Sequence, residues 1–393
     1  MKKSIGSTSG SPRRETTLRI ERLVAGGAGL ARMADGRIAF VPLAAPGDLV
    51  RASLVRERRR EVHAEILEVV EPGPARRAAP CPYFGTCGGC DWMHLAEEAQ
   101  REAKGAILRE ALRRLGGVAW EAPIEVVASP PFGYRSRARL TVRGGRVGFL
   151  GARSARVVDI EACAVLEPEG SRALGEIRRA AREGKLPAEI HLAVGEEGAA
   201  CSPPLPGIAA GPVTWKLGGQ EFRFDPDAFA QANRALAEDL RREAIADARG
   251  DRAVDLYCGA GFFALALAPK FREVLGVDGD ARAIARAREN ARSLPGLRFV
   301  AGEAREWFAR GEAPERAEFV LLDPPRTGTE PEVLEGVARL APARIALVGC
   351  DPATFARDVG RLVRRGWRLE RLRAFDLFPQ THHVEAVGRL VPA

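Results

Sequence analysis

The chain has 393 residues, 46 % of them hydrophobic, which is enough for two or three domains with a substantial core and argues against wholesale disorder. Its 60 Lys and Arg outnumber 52 Asp and Glu, for a net charge of +8, and all but six of the cations are arginine. No apolar run reaches the roughly 18 residues of a membrane helix, and the basic, Ser/Gly-rich start has no apolar stretch behind it, so a cytoplasmic protein without membrane association is expected. Guanidinium pairs with phosphate in bidentate geometry, so the charge suits a polyanionic partner; an arginine-rich coding composition explains it equally well.

Residues 1–14 read as a flexible basic tail. Residues 15–72 alternate apolar and polar positions in short runs, broken at Gly26-Gly27, Asp35-Gly36, Pro46-Gly47 and Pro72-Gly73. Five short strands with such breaks predict a small barrel of OB type. Arg56, Arg58, Arg59 and Arg60 crowd one hairpin, either as a phosphate-facing edge or as a solvated turn. Residues 73–218 begin with a cysteine segment, continue with a helix over about Leu95 to Leu115 that Gly116-Gly117 stops, and look largely β from 120 onward. From 219 to 393 short apolar strands such as AVDLYC, FVLLDPP and RIALVGC alternate with helical stretches, the rhythm of a doubly wound α/β sheet.

Seven cysteines in a chain with no secretory signal argue against a disulfide framework. Three of them, Cys81, Cys87 and Cys90, fall within ten residues, and Cys163 comes much later. Thiolate-only ligation of this kind fits an iron–sulfur cluster or a structural zinc, and spacing alone does not separate the two.

The segment AVDLYCGAGFF runs from a strand through a glycine turn, Gly259 and Gly261, into a helix, and the next strand ends in Asp278, placed to take ribose hydroxyls. Dinucleotide folds share such a turn. The loop lacks the lysine of a nucleoside-triphosphate site, and an adenosine ligand without a pyrophosphate, such as S-adenosylmethionine, suits it best.

Asp323, in LLDPPR, and Cys350 each stand just past a predicted strand, at the edge where open α/β sheets bind ligands. Cys350 is a nucleophile or else inert packing. Glu385 opens the last strand. His382 and His383 precede it and, as neighbours in an extended segment, should point to opposite faces as polar loop residues. One reaction uses all of these parts. The C5 carbon of uracil attacks a sulfonium methyl only after a thiolate adds to C6, and a base must then remove the C5 proton.

At these residues the chain resembles the RNA uracil-C5 methyltransferases, in particular members with an N-terminal TRAM barrel and a four-iron cluster. The likeness runs from about Leu18 to Val391. CPYFGTCGGC with IEAC implies Cys81, Cys87, Cys90 and Cys163 as ligands of a [4Fe–4S] cluster. AFAQAN points to Gln231, DLYCGAG to Tyr257, Gly259 and Gly261, GVDGD to Asp278, VAGEA to Glu303 and LLDPPR to Asp323, all as cofactor contacts. GCDPATFARD implies Cys350 as nucleophile, with Gly349 and Asp351 standing where the family more often has Ser and Asn. HHVEAVGRL implies Glu385 as the base. The resemblance thus implies a Rossmann-like S-adenosylmethionine methyltransferase domain behind a TRAM/OB-like barrel and a central iron–sulfur domain, acting as a monomer on RNA, ribosomal rather than transfer. Two rivals stay open: an amine-directed nucleic-acid methyltransferase with Cys350 as packing, and a non-catalytic RNA-binding protein.

Overall fold

The computed structural model describes residues 14–184 and 186–393, so all but the last residue of the expected 1–14 tail lies outside the described residues. Strands β1 (Glu15–Leu23), β2 (Gly29–Arg32), β3 (Ile38–Val41), β4 (Leu49–Glu57) and β5 (Glu61–Glu71) close a barrel in the order β1-β2-β3-β5-β4, as the turn spacing predicts. Alternate residues, among them Leu18, Ile20, Val50, Ala52, Val62 and Ala64, fill it. Asp48, just before β4, is fully buried. Burial would raise this carboxyl, but the Arg76 guanidinium and the Gly73 and Ala45 amides hold it below its usual value. The Asp48–Arg76 pair at 2.6 Å thereby fastens the barrel to the segment that leads into the cysteines.

Helix α1 (Glu97–Ala111) continues as a single π-helical turn to Gly116, and Gly117, at φ +69°, ends it in the left-handed region. After β6 (Val126–Val127), strands β7 (Arg137–Arg143), β8 (Arg146–Leu150), β9 (Val157–Asp159), β10 (Glu189–Gly195) and β11 (Gly198–Ser202) form an antiparallel sheet in the order β11-β10-β7-β8-β9. The segment from 120 is less uniformly β than expected. A sixteen-residue helix, α2 (Pro168–Glu183), lies between β9 and β10. Pro168 at its first turn, Glu169 near its start and Arg182 near its end are ordinary helix signals. Its apolar stripe, Ala173, Leu174, Ile177 and Ala181, packs with Leu140 and Leu192 of the sheet.

The hairpin β12 (Val213–Leu217) and β13 (Gln220–Phe224) straddles residue 219 and leads through α3 (Ala237–Ala244) into the C-terminal sheet. Its elements are β14 (Gly250–Leu256), α4 (Ala264–Leu267), β15 (Phe271–Asp278), α5 (Ala281–Asn290), β16 (Leu297–Ala301), α6 (Ala304–Ala309), β17 (Phe319–Leu322), α7 (Pro331–Arg339), β18 (Arg344–Gly349), α8 (Pro352–Val363), β19 (Trp367–Phe375) and β20 (Glu385–Pro392). The strand order is β16-β15-β14-β17-β18-β20-β19-β6. Among these strands β20 alone runs against the rest. One face is covered by α3, α4 and α5, through Leu240, Leu265 and Ile284. The other is covered by α6, α7 and α8, joined by α1 from the middle of the chain, through Trp307, Leu334, Val359 and Leu108. Among the described residues no helix is long and apolar enough to cross a membrane.

Candidate active site

Strand order reverses between β14, which continues toward β15, and β17, and this opens a crevice at the carboxyl ends of the strands. The turn after β14 forms one wall. Tyr257 takes φ +64°, uncommon for a bulky residue, and its amide and that of Cys258 both donate to Val277 O, at 2.8 and 3.2 Å. Gly259 and Gly261 also have positive φ. A Cβ on Gly261 would press on Phe299 at 3.3 Å, so the turn lies flat on β16. Asp278 organises the turn: its carboxylate accepts from Gly259 N and Asp280 N, each at 2.8 Å. Spare lone pairs remain on both oxygens for a ribose. Exposed Glu303, at the start of α6, lies over Gly279, where a Cβ would fall 2.4 Å from its carboxylate. Gln231 is buried in the loop after β13, and the ion pairs Asp225–Arg286 (2.9 Å) and Asp227–Arg282 (3.1 Å) clamp that loop to α5.

The second wall holds Cys350 and Glu385. Because β20 is reversed, its first residue sits at the edge where β18 ends. Gly349 pairs with Ala386, so Cys350 and Glu385 come together on neighbouring strands. Burial and then the Glu385 carboxyl push the Cys350 thiol up to about 12, while the Arg326 guanidinium pulls it down. Burial, and behind it Asp323, carries Glu385 well above the ordinary carboxylate range, again against Arg326. Asp323 itself is raised to about 7 by burial and then by Asp278. Cys350, Glu385, Asp323 and Arg326 are therefore near enough to shift one another's charge, and Asp278 links them to the glycine turn. Asp351 caps α8: its Oδ1 accepts from Ala353 N at 3.0 Å and Thr354 N at 2.9 Å, a task Asp and Asn perform equally. Gly349 leaves room for Phe355, whose ring would lie 3.0 Å from a Cβ there.

One expectation is corrected. The rings of His382 and His383 do not point to opposite faces. They lie 4.2 Å apart, because they occupy a bend before β20 and not the strand itself. Burial and then His382 hold the His383 imidazole down near 3, so it is neutral, and Arg326 approaches it at 3.3 Å. Two residues carry no assignment from the sequence. Arg326, there only a member of a motif, is the cation among these groups. Asp255, inside β14, is fully buried, and among the described residues neither carboxyl oxygen has a hydrogen-bond partner; the Ala264 amide gives weak relief short of a bond. An acid inside the buried, otherwise apolar run AVDL is the available signal.

The four cysteines 81, 87, 90 and 163 line a separate cavity with Arg135, Phe84 and Phe149. Gly89 N donates to Cys87 Sγ at 3.4 Å, and the Val165 and Leu166 amides pull the Cys163 thiol down against its burial. Among the described residues no three His, Cys, Asp or Glu side chains come together around a point that would hold a single metal ion. The sulfurs stand around a space instead.

A sheet of this order, with a glycine turn after β14 and an acid closing β15, is the fold of an S-adenosylmethionine-dependent methyltransferase, and residues 253–322 match the family described as methyltransferase domain. Residues 315–391 match the family described as tRNA (Uracil-5-)-methyltransferase. The chain is 36 % identical to an RNA methyltransferase of Gloeobacter violaceus over 95 % of its length and 96 % of the relative's. It is also 36 % identical to the 23S rRNA (uracil(1939)-C(5))-methyltransferase RlmD of Alkalilimnicola ehrlichii, over 96 % of each chain. Among solved structures, Pyrococcus abyssi tRNA (uracil-54, C5)-methyltransferase in complex with S-adenosyl-L-homocysteine superimposes with a TM-score of 0.76 at 25 % identity, covering 95 % of this chain and 99 % of the other. The chain belongs to the RNA uracil-C5 methyltransferase family and is an enzyme that uses S-adenosylmethionine on RNA.

Proposed function

We propose that this enzyme methylates C5 of a uridine in large-subunit ribosomal RNA through a covalent adduct on Cys350. The observation that carries the reading is the adjacency of Cys350 and Glu385 across β18 and β20. Cys350 gives its proton to solvent and its sulfur bonds to C6 of the uracil, which makes C5 nucleophilic. S-adenosylmethionine supplies the methyl group that C5 displaces from sulfur. Glu385, as carboxylate, then takes the C5 proton; the C5–C6 double bond re-forms and the bond to sulfur breaks, returning the thiolate. Arg326 lies against both groups, so its charge favours thiolate and carboxylate over their neutral forms. Gln231, Tyr257, Gly259, Gly261, Asp278, Glu303 and Asp323 hold the cofactor, Asp278 at the ribose. The barrel grips RNA as a TRAM domain does, and the enzyme works as a monomer in the cytoplasm. Ribosomal RNA is favoured over transfer RNA by the nearly full-length relatives that carry the ribosomal name at 36 % identity, against 25 % for the transfer-RNA enzyme.

Cys81, Cys87, Cys90 and Cys163 are the ligands of a [4Fe–4S] cluster. Amides that pull these thiols down suit thiolates, and an open space among four sulfurs suits a cluster better than zinc, which draws its ligands to about 2.3 Å from one centre. When bound, the cluster supplies a cross-link between the 81–90 segment and Cys163. The methyl-transfer chemistry needs no electrons from it.

The deciding experiment uses RNA carrying 5-fluorouridine, whose C5 has no removable proton. A stable protein–RNA band with the wild-type enzyme, absent with Cys350→Ala, is the expected result. Methyl transfer to an exocyclic amine would proceed with no band and with Cys350→Ala active, and either outcome sinks the covalent reading.

A further inference from the structure

Beyond the bond from Asp376 N to Val127 O of β6 at 2.9 Å, the loop that delivers Glu385 is held mainly from outside the sheet it serves. Residues 376–383 connect β19 to β20, and their hydrogen-bond partners come largely from residues 77–134, some 250 to 300 positions earlier. Lys104 of α1, fully buried, donates to Asp376 Oδ1 at 2.5 Å and to Phe378 O at 3.1 Å. Gln100 of α1, also fully buried, accepts from Gln380 N at 2.8 Å and donates to Gln380 Oε1 at 3.1 Å. Gln380 O accepts from Asp91 N and Trp92 N, at 3.1 and 2.9 Å. Asp91 takes His382 N at 3.0 Å and His382 Nδ1 at 2.5 Å. Gln380 sits at φ +69°, a conformation a non-glycine residue keeps only when its surroundings over-determine it. A buried ion pair such as Lys104–Asp376 is weak support for stability, because desolvation offsets the attraction; fixing one geometry is its better-supported use.

Cys350, by contrast, is placed by β18 and the capped start of α8; α1 packs on α8 through Leu108, but the hydrogen bonds of Gln100 and Lys104 run to the 376–380 loop and not to β18 or α8. The two reacting groups are thus set by different parts of the chain. We propose that Gln100 and Lys104, with the Asp91–His382 pair, are positioning residues for Glu385 and act on proton removal and adduct release, leaving addition and methyl transfer untouched. The inference rests on the covalent reading above. It also gives the cysteine segment a part in catalysis without electron transfer, since Asp91 comes directly after Cys90 and carries the position of that segment to the base.

The test uses the full-length enzyme, labelled S-adenosylmethionine and an unmodified transcript of large-subunit ribosomal RNA. Wild type, Glu385→Gln, Gln100→Leu and His382→Ala are compared for methyl groups transferred in the first turnover, for steady-state rate and for the fraction of protein covalently bound to RNA. Misplacing a reacting group by about 1 Å costs on the order of 100-fold. The expected result for Gln100→Leu is a steady-state rate down roughly 10- to 100-fold with first-turnover transfer within about twofold of wild type. His382→Ala should show the same split more weakly, and methylated adduct should build up in both. His382 is part-exposed, so its variant decides the matter if Gln100→Leu does not fold. If Glu385→Gln traps adduct but neither clasp variant does, or if their first turnover slows in step with the steady state, the positioning role is wrong. If Glu385→Gln itself traps nothing, the covalent reading fails first.

Discussion

The four-cysteine cavity and the Cys350 site are both half-buried, and they differ in company more than in burial. Around the four-cysteine cavity, burial raises Cys87, Cys90 and Cys163, Cys90 to about 12, and the sulfurs raise one another further, with Arg135 as the opposing charge. Cys350 is raised to the same height by burial, but its next neighbour is a carboxyl with its own task, and its opposing charge is Arg326. Thiols that crowd one another raise each other further, and in the proposed reading a metal cluster relieves them. A lone thiol beside an acid and a guanidinium has a route to attack and a route to leave. The contrast teaches that an elevated thiol pKa does not by itself mark a nucleophile or a ligand; the identity of the second neighbour does.

The largest effects should separate the two sites cleanly. Cys350→Ala should lower methylation by about 10⁴-fold or more and abolish the covalent band, while thermal unfolding and S-adenosylmethionine affinity stay as in wild type. A variant that unfolds instead would make Cys350 a packing residue. Cys90→Ser should do the reverse: the protein loses brown colour and bound iron, and its Tm falls by roughly 5–10 °C, the signature of 2–3 kcal/mol in a domain of this size. A colourless wild-type protein with one zinc would overturn the cluster. A smaller effect is the pH profile. Because the thiol is held up to about 12 and the thiolate is the attacking form, the rate of adduct formation should rise roughly tenfold per pH unit between about pH 6 and 9; a flat profile would mean that RNA binding removes the proton first.

The smallest effect concerns stability. The folded Asp323 carboxyl sits at about 7 against an ordinary 3.8, so the fold holds its proton more tightly than the unfolded chain does. Its contribution is intact below about pH 4 and is lost as pH rises from there to about 7. Asp323→Asn, which cannot ionise, should therefore raise Tm by a few degrees at pH 8 and leave it unchanged near pH 4. An equal shift at both pH values would trace the gain to packing.

Much of this is legible in the chain. The barrel comes from alternation interrupted at Gly26-Gly27 and Pro46-Gly47, both purely local signals. Cys350 and Glu385 can each be placed at a strand end for the same reason. Their contact cannot, because it depends on β20 entering between β18 and β19, a pairing no short window records. α2 hides between strands although Pro168, Glu169 and Arg182 mark its ends. His382 and His383 mislead because extended backbone is the natural assumption where a bend occurs. Gln100 and Lys104 look like the solvated face of an amphipathic helix, and their partners lie 272 to 280 residues away.

The reversed strand also constrains how the molecule is made. Until residues 385–392 have left the ribosome, β18 and β19 have no neighbour to join them, and their facing edges are unpaired. In the proposed mechanism a nascent chain lacks its base, Glu385, until this strand is made, so modification waits for its synthesis. Pro392 pairs with Trp367 at the far edge of the sheet, so an affinity tag fused after Ala393 would emerge away from the crevice and leave turnover intact.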